Sequence, residues 1–457
     1  MTDAGRSDAH PSRLSRRALL RVLGAAVATS ALGACSASPQ PGAGGSKSEP
    51  ISQIVYQDWR TDWFPALAQQ MLDQFHQTHP NIRVYFTPDP EDVEDQMLQA
   101  MQAGTAPDVF QGCCTHFPIW AQQGYTLDLR DYVRRDLTQE TIDEWDKAQY
   151  RALFLPSGKQ FGLPKYHGAL ALFYNKDLFD KYGVAYPTES WGPDEYAAAT
   201  KALKRDTTGD GATDLWGSTL DVSWERLQVH VNAWGGNFVD PVDSTTCRMS
   251  EPASVEALQW IRQRMWRDND MATPPDIQAI GPTAAFVASK VAMSEDGSWS
   301  LKSILSDAGF RVGVAPLPAG AVKRATLSTT DGFGIYASSR RKDAAWELMK
   351  FLIGPDYGRA MAKAHLLQPA RSSLIDEWIG YVRSEFPDKA ADLSVDVFAS
   401  GHLQGYSVTP EIFSKAMAEA KRIAYEAFDE IFTFGRGSVD QMRDVCRQIT
   451  EAQKGKP

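Results

Sequence analysis

The sequence predicts an α/β fold built on a mostly parallel sheet, from three features at the start of its globular part. Short β-branched or apolar runs occur at residues 51–56, 82–87 and 107–110, stretches of helical period lie between them at 65–77 and 92–103, and breakers such as His79-Pro80 separate the two kinds. A β-α-β-α-β alternation places helices on the faces of a parallel sheet. Ligands bind such sheets beyond the C-terminal ends of the strands. Asp58 and Trp59, just past the first run, and Thr115 and His116, past the third, are therefore candidate ligand residues.

A chain of 457 residues, 43% of them hydrophobic and 23% charged, buries a sizeable core and suggests two or three domain-sized units. Its net charge of −10, without clustered Lys and Arg, argues against a nucleic-acid partner. Thirteen Trp, fifteen Tyr and twenty Phe supply large flat side chains, most of them core filler and some available as binding platforms.

The first residues point to export. Ser15-Arg16-Arg17-Ala18-Leu19-Leu20-Arg21 precedes an apolar run over 22–34 that ends in Leu32-Gly33-Ala34-Cys35. That run falls well short of the roughly 20 residues that span a bilayer, so it reads as a signal peptide. The twin arginines resemble a Tat export signal. Leu-Gly-Ala-Cys resembles a bacterial lipobox, which implies that Cys35 becomes a lipidated N-terminus at the outer face of the cytoplasmic membrane. Loss of residues 1–34 discards five Arg and two Asp and takes the net charge from −10 to −13. Residues 36–50, SASPQPGAGGSKSEP, have the composition of a flexible tether. Gly44-Gly45-Ser46-Lys47-Ser48 lacks the order of a phosphate loop and precedes any strand.

Beyond Cys35 the chain carries Cys113, Cys114, Cys247 and Cys446, which outside the membrane admit three disulfide pairings. Asp206, Asp210 and Asp214 repeat the acidic spacing of a calcium loop with Gly211 in the required place; Thr208 replaces the third-position acid, and Gly217 stands where the bidentate Glu belongs. A solvated turn is the competing reading of that loop, and calcium is the one cofactor it suggests. Signatures of catalysis are missing: there is no Gly-x-Ser-x-Gly elbow, no His-Glu-x-x-His and no dinucleotide fingerprint after a strand. The chain therefore reads as a binder rather than an enzyme, with an exported carbohydrate-active enzyme as the rival, since paired carboxylates can meet in space from any two positions.

The rest of the chain carries an ordered series of segments. Gly162-Leu163-Pro164 precedes Leu172-Phe173-Tyr174-Asn175-Lys176-Asp177-Leu178-Phe179, followed by Tyr182-Gly183-Val184, Pro187, Ser190-Trp191 and Ala233-Trp234-Gly235-Gly236. Then come Phe286-Val287-Ala288-Ser289-Lys290-Val291-Ala292-Met293 with Gly297-Ser298-Trp299, Ala315-Pro316-Leu317-Pro318, Thr330-Asp331-Gly332-Phe333-Gly334-Ile335, the helical Ala344-Ala345-Trp346-Glu347-Leu348-Met349-Lys350-Phe351-Leu352, and Pro369-Ala370-Arg371. As a series these segments resemble the extracellular solute-binding proteins of family 1, the maltose-binding-protein-like class of ABC importers, from about residue 51 to the C-terminus. The resemblance implies a two-lobed periplasmic-binding-protein-like fold of type II with discontinuous lobes: 51–165 plus 325–368 as one, 168–322 plus 372–457 as the other, closing on ligand about hinge crossovers. It implies a monomeric, lipid-anchored protein that captures a carbohydrate and delivers it to ABC transporter permease subunits. A glycerophosphodiester or polyol binder of the same fold is the alternative, and a surface receptor without a transporter is a third reading.

Carbohydrate recognition requires flat aromatic faces for the C–H surface of a sugar ring and planar or charged groups for its hydroxyls. Asp58 and Trp59 meet this by position. The resemblance adds Thr115 and His116, Tyr166 and His167 at the first crossover, Trp224 on the second lobe's wall, and Trp299, where the neighbouring Gly297 lets a ligand approach closely. Asp331 and Phe333 begin the return to lobe one, and Arg371 at the third crossover has a guanidinium suited to bidentate contacts.

Overall fold

The computed structural model describes residues 51–454. The twin-arginine segment, Cys35 and the 36–50 tether lie outside the described residues. Two five-stranded mixed sheets organise the chain. The first holds β1 (Ser52–Asp58), β2 (Ile82–Pro88), β3 (Val109–Gly112), β4 (Leu163–Pro164) and β11 (Gly332–Ile335), in the order β2-β1-β3-β11-β4. The second holds β5 (Leu170–Asn175), β6 (Trp216–Thr219), β7 (Met271–Ala272), β8 (Val291–Gly297) and β9 (Val312–Ala315), in the order β7-β6-β8-β5-β9. A short parallel pair, β10 (Thr326–Leu327) and β12 (Ser407–Val408), lies apart from both.

The two orders follow one plan. In each sheet four strands run in one direction, and a single antiparallel strand, β11 or β5, is wedged between three of them and the fourth at the edge. That wedged strand is the first the chain adds to the sheet after crossing from the other one: β5 follows β4, and β11 follows β9, with β10 of the separate pair between them. The antiparallel member qualifies the mostly parallel sheet expected from the sequence, and its cause is topological, because a strand arriving from the opposite half enters against the local direction.

Local sequence explains the elements. The helix Phe64–Thr78 starts with Pro65 in its first turn, where a missing N–H costs nothing. It buries Phe64, Leu67, Ala68, Met71, Leu72 and Phe75, a single stripe at helical spacing. Val93–Ala103 ends on Gly104, whose φ of 73° is the left-handed C-terminal cap glycine favours. Lys342–Leu352 buries Ala345, Trp346, Leu348, Met349 and Leu352 on the first sheet.

β5 has every residue buried, and the reason is two-sided covering. Leu170, Leu172 and Tyr174 enter one core, while Ala171 and Phe173 enter the core on the other face. Such a continuous apolar run is what a strand with helices on both sides requires. The helices after residue 374 pack on this second sheet, with Trp378, Val382 and Phe398 joining Phe173 and Val312. Among the described residues no helix is long and apolar enough to cross a membrane.

Three crossovers join the halves and are zipped to one another. Ala169 bridges Ser328 and Tyr166 bridges Pro369. The Lys165 N–H donates to Asp331 O at 3.0 Å, Thr329 N–H to Gly168 O at 2.9 Å and His167 N–H to Gln368 O at 3.0 Å. Gln149 adds a side-chain clamp, donating to the carbonyls of Tyr166 and Thr329, each at 2.8 Å.

Of the three disulfide pairings, the structure contains Cys247–Cys446, which ties the C-terminal helix Met442–Lys454 to the segment after Val239 across 199 residues of sequence. Cys113 and Cys114 stand unbonded. Replacing both Cys247 and Cys446 with Ser is expected to lower the unfolding free energy by about 2–5 kcal/mol, since the bond restrains a long loop of the unfolded chain. Urea denaturation checks this, and an unchanged midpoint contradicts it.

Candidate functional site

A cavity of about 340 Å³ opens where the two sheets and all three crossovers meet. Its wall comes from the loop after β1 (Trp59, Thr61, Trp63), the turn after β3 (Cys113, Cys114), the turn after β8 (Trp299) and the crossovers (Tyr166, Thr329, Asp331, Leu367), with His365 closing one side. These positions follow strand C-terminal ends, as the topology requires. Cys114 also borders a second hollow of about 540 Å³, which continues between Arg151 and Phe154 of the first half and Asp240, Val242 and Glu411 of the second.

The aromatic wall is ordered by contacts beneath it. Trp59 packs edge-on against Trp63, Phe64 and Tyr166, with ring centroids 5.4–6.2 Å apart. Trp63 stacks on the His365 imidazole at 4.4 Å, nearly parallel. Below Trp59 lies the Lys165 ammonium, 3.2 Å from the ring centroid and without solvent exposure. Lys165 forms an ion pair with Asp58, which also accepts from the Tyr56 hydroxyl and from the Trp59 N–H at 2.7 Å. Burial pulls the Lys165 pKa down, and the Asp58 carboxylate opposes that.

Trp299 reaches both halves, because it packs against the core of each sheet. A β-carbon on Gly297 would lie 2.3 Å from its indole and one on Gly168 3.0 Å from it. Both glycines therefore make room for the ring itself, a different reason from the ligand approach expected at Gly297. The Arg226 guanidinium sits 5.7 Å from the Trp299 ring.

Asp331 provides the charge. Burial pushes its pKa up to about 6, while the nearby Thr329 hydroxyl and the Lys165 charge hold it lower than burial alone would. A carboxyl poised at this level donates or accepts a hydrogen bond near neutral pH, which suits a ligand hydroxyl.

Of the residues singled out from the sequence, Trp59, Tyr166, Trp299 and Asp331 share this cavity, and seven do not line it. Asp58 is spent on Lys165 and the adjoining donors. Thr115 is fully buried at the start of the helix His116–Gln122. His116 accepts from the Cys113 N–H at 3.2 Å through Nε2, and burial holds its pKa down to about 3, so it is a neutral support for the turn. His167 is locked between Asp146 and Ser328, 3.0 Å from each. Trp224 is core: it packs on Phe238 and Phe413 and donates from Nε1 to Glu411 O at 3.0 Å. Phe333 points into the first core from β11. Arg371 binds Glu144 and the Ile353 carbonyl, each at 3.1 Å, away from the cavity. Thr61, Trp63, Cys113, Cys114, Thr329, His365 and Leu367 were not anticipated. Trp63 had a readable signal, a second Trp in the same loop; His365 and Leu367 arrive by tertiary folding alone.

For metals, the acidic loop over 206–214, open to a calcium site or a solvated turn, has its carboxylates hydrogen-bonded within itself. Asp206 accepts from the N–H groups of Thr208, Gly209 and Gly211, Asp210 from that of Ala212, and Asp214 from Thr207. Thr208 also turns its hydroxyl to Asp206, at 3.2 Å. Among the described residues, only Asp146, His167 and His402 place three ligand atoms within 4.8 Å of one another.

Comparison with known proteins agrees with this fold. Residues 58–359 match the family described as bacterial extracellular solute-binding protein. A binding protein of Brucella abortus is 29% identical over 303 residues, covering 63% of this chain and 69% of that one. The maltotriose-binding protein of Pyrococcus abyssi is 24% identical over 303 residues, covering 64% of this chain and 61% of its own. The structure of an ABC substrate-binding protein from Listeria monocytogenes in complex with cycloalternan superimposes with a TM-score of 0.76 at 23% identity, covering 88% of this chain and 99% of the other.

The raised pKa of Asp331 has a consequence for stability. Its proton is held more tightly in the folded chain than in the unfolded one, so the stabilisation it brings is fully present below the ordinary carboxylate value near 3.8 and is lost as the pH rises through about 6. Relative to Asp331→Asn, the unchanged protein is expected to lose on the order of 3 kcal/mol across that window. Chemical denaturation at a series of pH values measures it; a constant difference between the two proteins contradicts the assignment.

Proposed function

Because the chain belongs to the bacterial extracellular solute-binding proteins, we propose that it captures a carbohydrate in the cavity between its two halves and delivers it to the permease subunits of an ABC importer. One observation carries the choice of ligand class: an aromatic wall of Trp59, Trp63, Tyr166 and Trp299, drawn from both halves, with Asp331 among the rings. Indole and phenol faces match the C–H surface of a sugar ring, and a carboxyl near its pKa matches a hydroxyl. The second hollow, meeting the first at Cys114, extends the groove beyond one ring and favours an oligosaccharide. The maltotriose-binding relative and the cycloalternan-bound neighbour support the same class.

Capture works by differential affinity. A ligand that touches Trp59 on one half and Trp299 on the other binds the closed arrangement better than the open one and so shifts the population toward closure. No bond in the ligand is made or broken. The export signal and lipobox at Cys35 belong to the same reading, since they hold the protein where solute arrives and a permease is reachable.

A thermal-shift screen over malto-oligosaccharides, disaccharides, monosaccharides, polyols and glycerophosphodiesters tests the ligand class, because a ligand that binds only the folded state raises the melting temperature. Oligosaccharides are expected to give the largest shifts, and a response confined to glycerophosphodiesters would replace the carbohydrate reading. For the best oligosaccharide, Trp299→Ala is expected to weaken binding at least about tenfold, or roughly 1.4 kcal/mol, by calorimetry. Unaltered affinity removes Trp299 from the site.

A further inference from the structure

We propose that Cys113 and Cys114 close a vicinal disulfide that forms the waist of the ligand groove, and that this bond is its redox-labile part. The two sulfurs lie 2.9 Å apart. Both line the aromatic cavity, and Cys114 borders the adjoining hollow as well. Two hydrogen bonds hold their turn. The Cys113 N–H donates to His116 Nε2 at 3.2 Å, the Thr330 hydroxyl donates to the Cys114 carbonyl at 3.2 Å, and Cys114 takes the left-handed conformation with φ 53°. A residue with a β-carbon in that region carries a cost of about 1–2 kcal/mol, so the surroundings are built to keep this turn.

The chemistry of the pair favours uncharged sulfur. The Cys114 contact first, then burial and the Asp331 and Glu225 carboxylates, push the Cys113 thiol well above its usual value. Cys114 is raised too: its contact with Cys113 pulls down, and burial with Glu225 and Asp331 outweighs it. A site of this kind disfavours the thiolates that a soft metal would need, whereas a disulfide satisfies it as an apolar surface among the rings. The bonded Cys247–Cys446 pair points to a compartment where disulfides persist.

Closure breaks two S–H bonds and forms one S–S bond. The two electrons and two protons pass to the disulfide of an exported thiol–disulfide oxidoreductase, which becomes a dithiol. Adjacent Cα atoms are held about 3.8 Å apart by the peptide bond. Relaxed disulfides span about 4.4–6.8 Å between Cα atoms, so a bond between neighbours is strained and easier to reduce. Cys247 and Cys446, with Cα atoms 5.2 Å apart, are free of that constraint. Reduction reshapes the groove at its waist and lowers ligand affinity, a consequence that rests on the carbohydrate-capture reading.

The test uses the full chain exported by its host and purified without reductant. Free thiols are alkylated with iodoacetamide under denaturing conditions, and the peptide holding both residues is weighed. The expected result is an unalkylated pair lighter by two hydrogens, opened by dithiothreitol at a lower dose than Cys247–Cys446. Full alkylation of Cys113 and Cys114 before any reductant, or opening no earlier than Cys247–Cys446, overturns the proposal. For the best oligosaccharide of the thermal screen, selective reduction is expected to weaken binding about tenfold; equal affinity of the two forms overturns the role in the groove. Failure of every sugar to bind would count against the carbohydrate reading alone, since the thiol map is read without ligand.

Discussion

A buried ammonium governs the geometry of the binding region. Lys165 stands at the end of β4, where the first crossover begins, and its Nζ is enclosed by the rings of Trp59, Phe64 and Phe333 and by the Asp58 carboxylate. Asp58 in turn ends β1 and is tied through Tyr56 to Tyr357, 3.2 Å from it, on the helix Pro355–His365. Two strand ends, a crossover and a helix thus share one charge pair. Such a pair adds little net stability, since desolvating both ions offsets their attraction, but losing one partner costs about 3–5 kcal/mol because the other is left buried and unpaired. Its use here is register. With Lys165 fixed under Trp59, that ring is held at the cavity wall and the crossover has one way to leave the sheet.

From that anchor the rest of the cavity follows by topology. Both sheets wedge an incoming antiparallel strand beside their parallel strands, so in each half a crossover ends inside the sheet. The ends of β1, β3 and β8 face a common gap, and loops there need not fill a core. Trp299 joins the halves because it packs against the cores of both, while Gly168 and Gly297 leave its indole space against the backbone of the second. A ligand in the gap meets side chains from two cores, the arrangement that lets binding and closure reinforce one another.

Much of the fold was legible. The first three strands, the two helices between them and the helix over Ala344 to Leu352 fell within a few residues of their observed places, because each carries a periodic stripe that one packed face demands. The family resemblance named the fold type, which local pattern alone does not reveal. The site was legible in part, for a physical reason. Trp59 and Trp224 are the same residue type at comparable loop-to-helix positions, yet one lines a cavity and the other is sealed by Phe238 and by Phe413 from a segment distant in sequence. Charge misled in the same way: Asp58 looked available until Lys165, 107 residues later, proved to be its partner. Arg371 was claimed likewise by Glu144. Burial at such positions depends on what folds over them, and no local spacing encodes it.

On the capture reading, the ligand lies between the halves, against rings contributed by both. A crystal structure of the protein saturated with its best-binding oligosaccharide tests it most directly. Sugar rings stacked on Trp59 and Trp299, with a hydroxyl within hydrogen-bonding reach of Asp331, are the expected result. Sugar bound at the outer surface of one half, with those three side chains untouched, would contradict it.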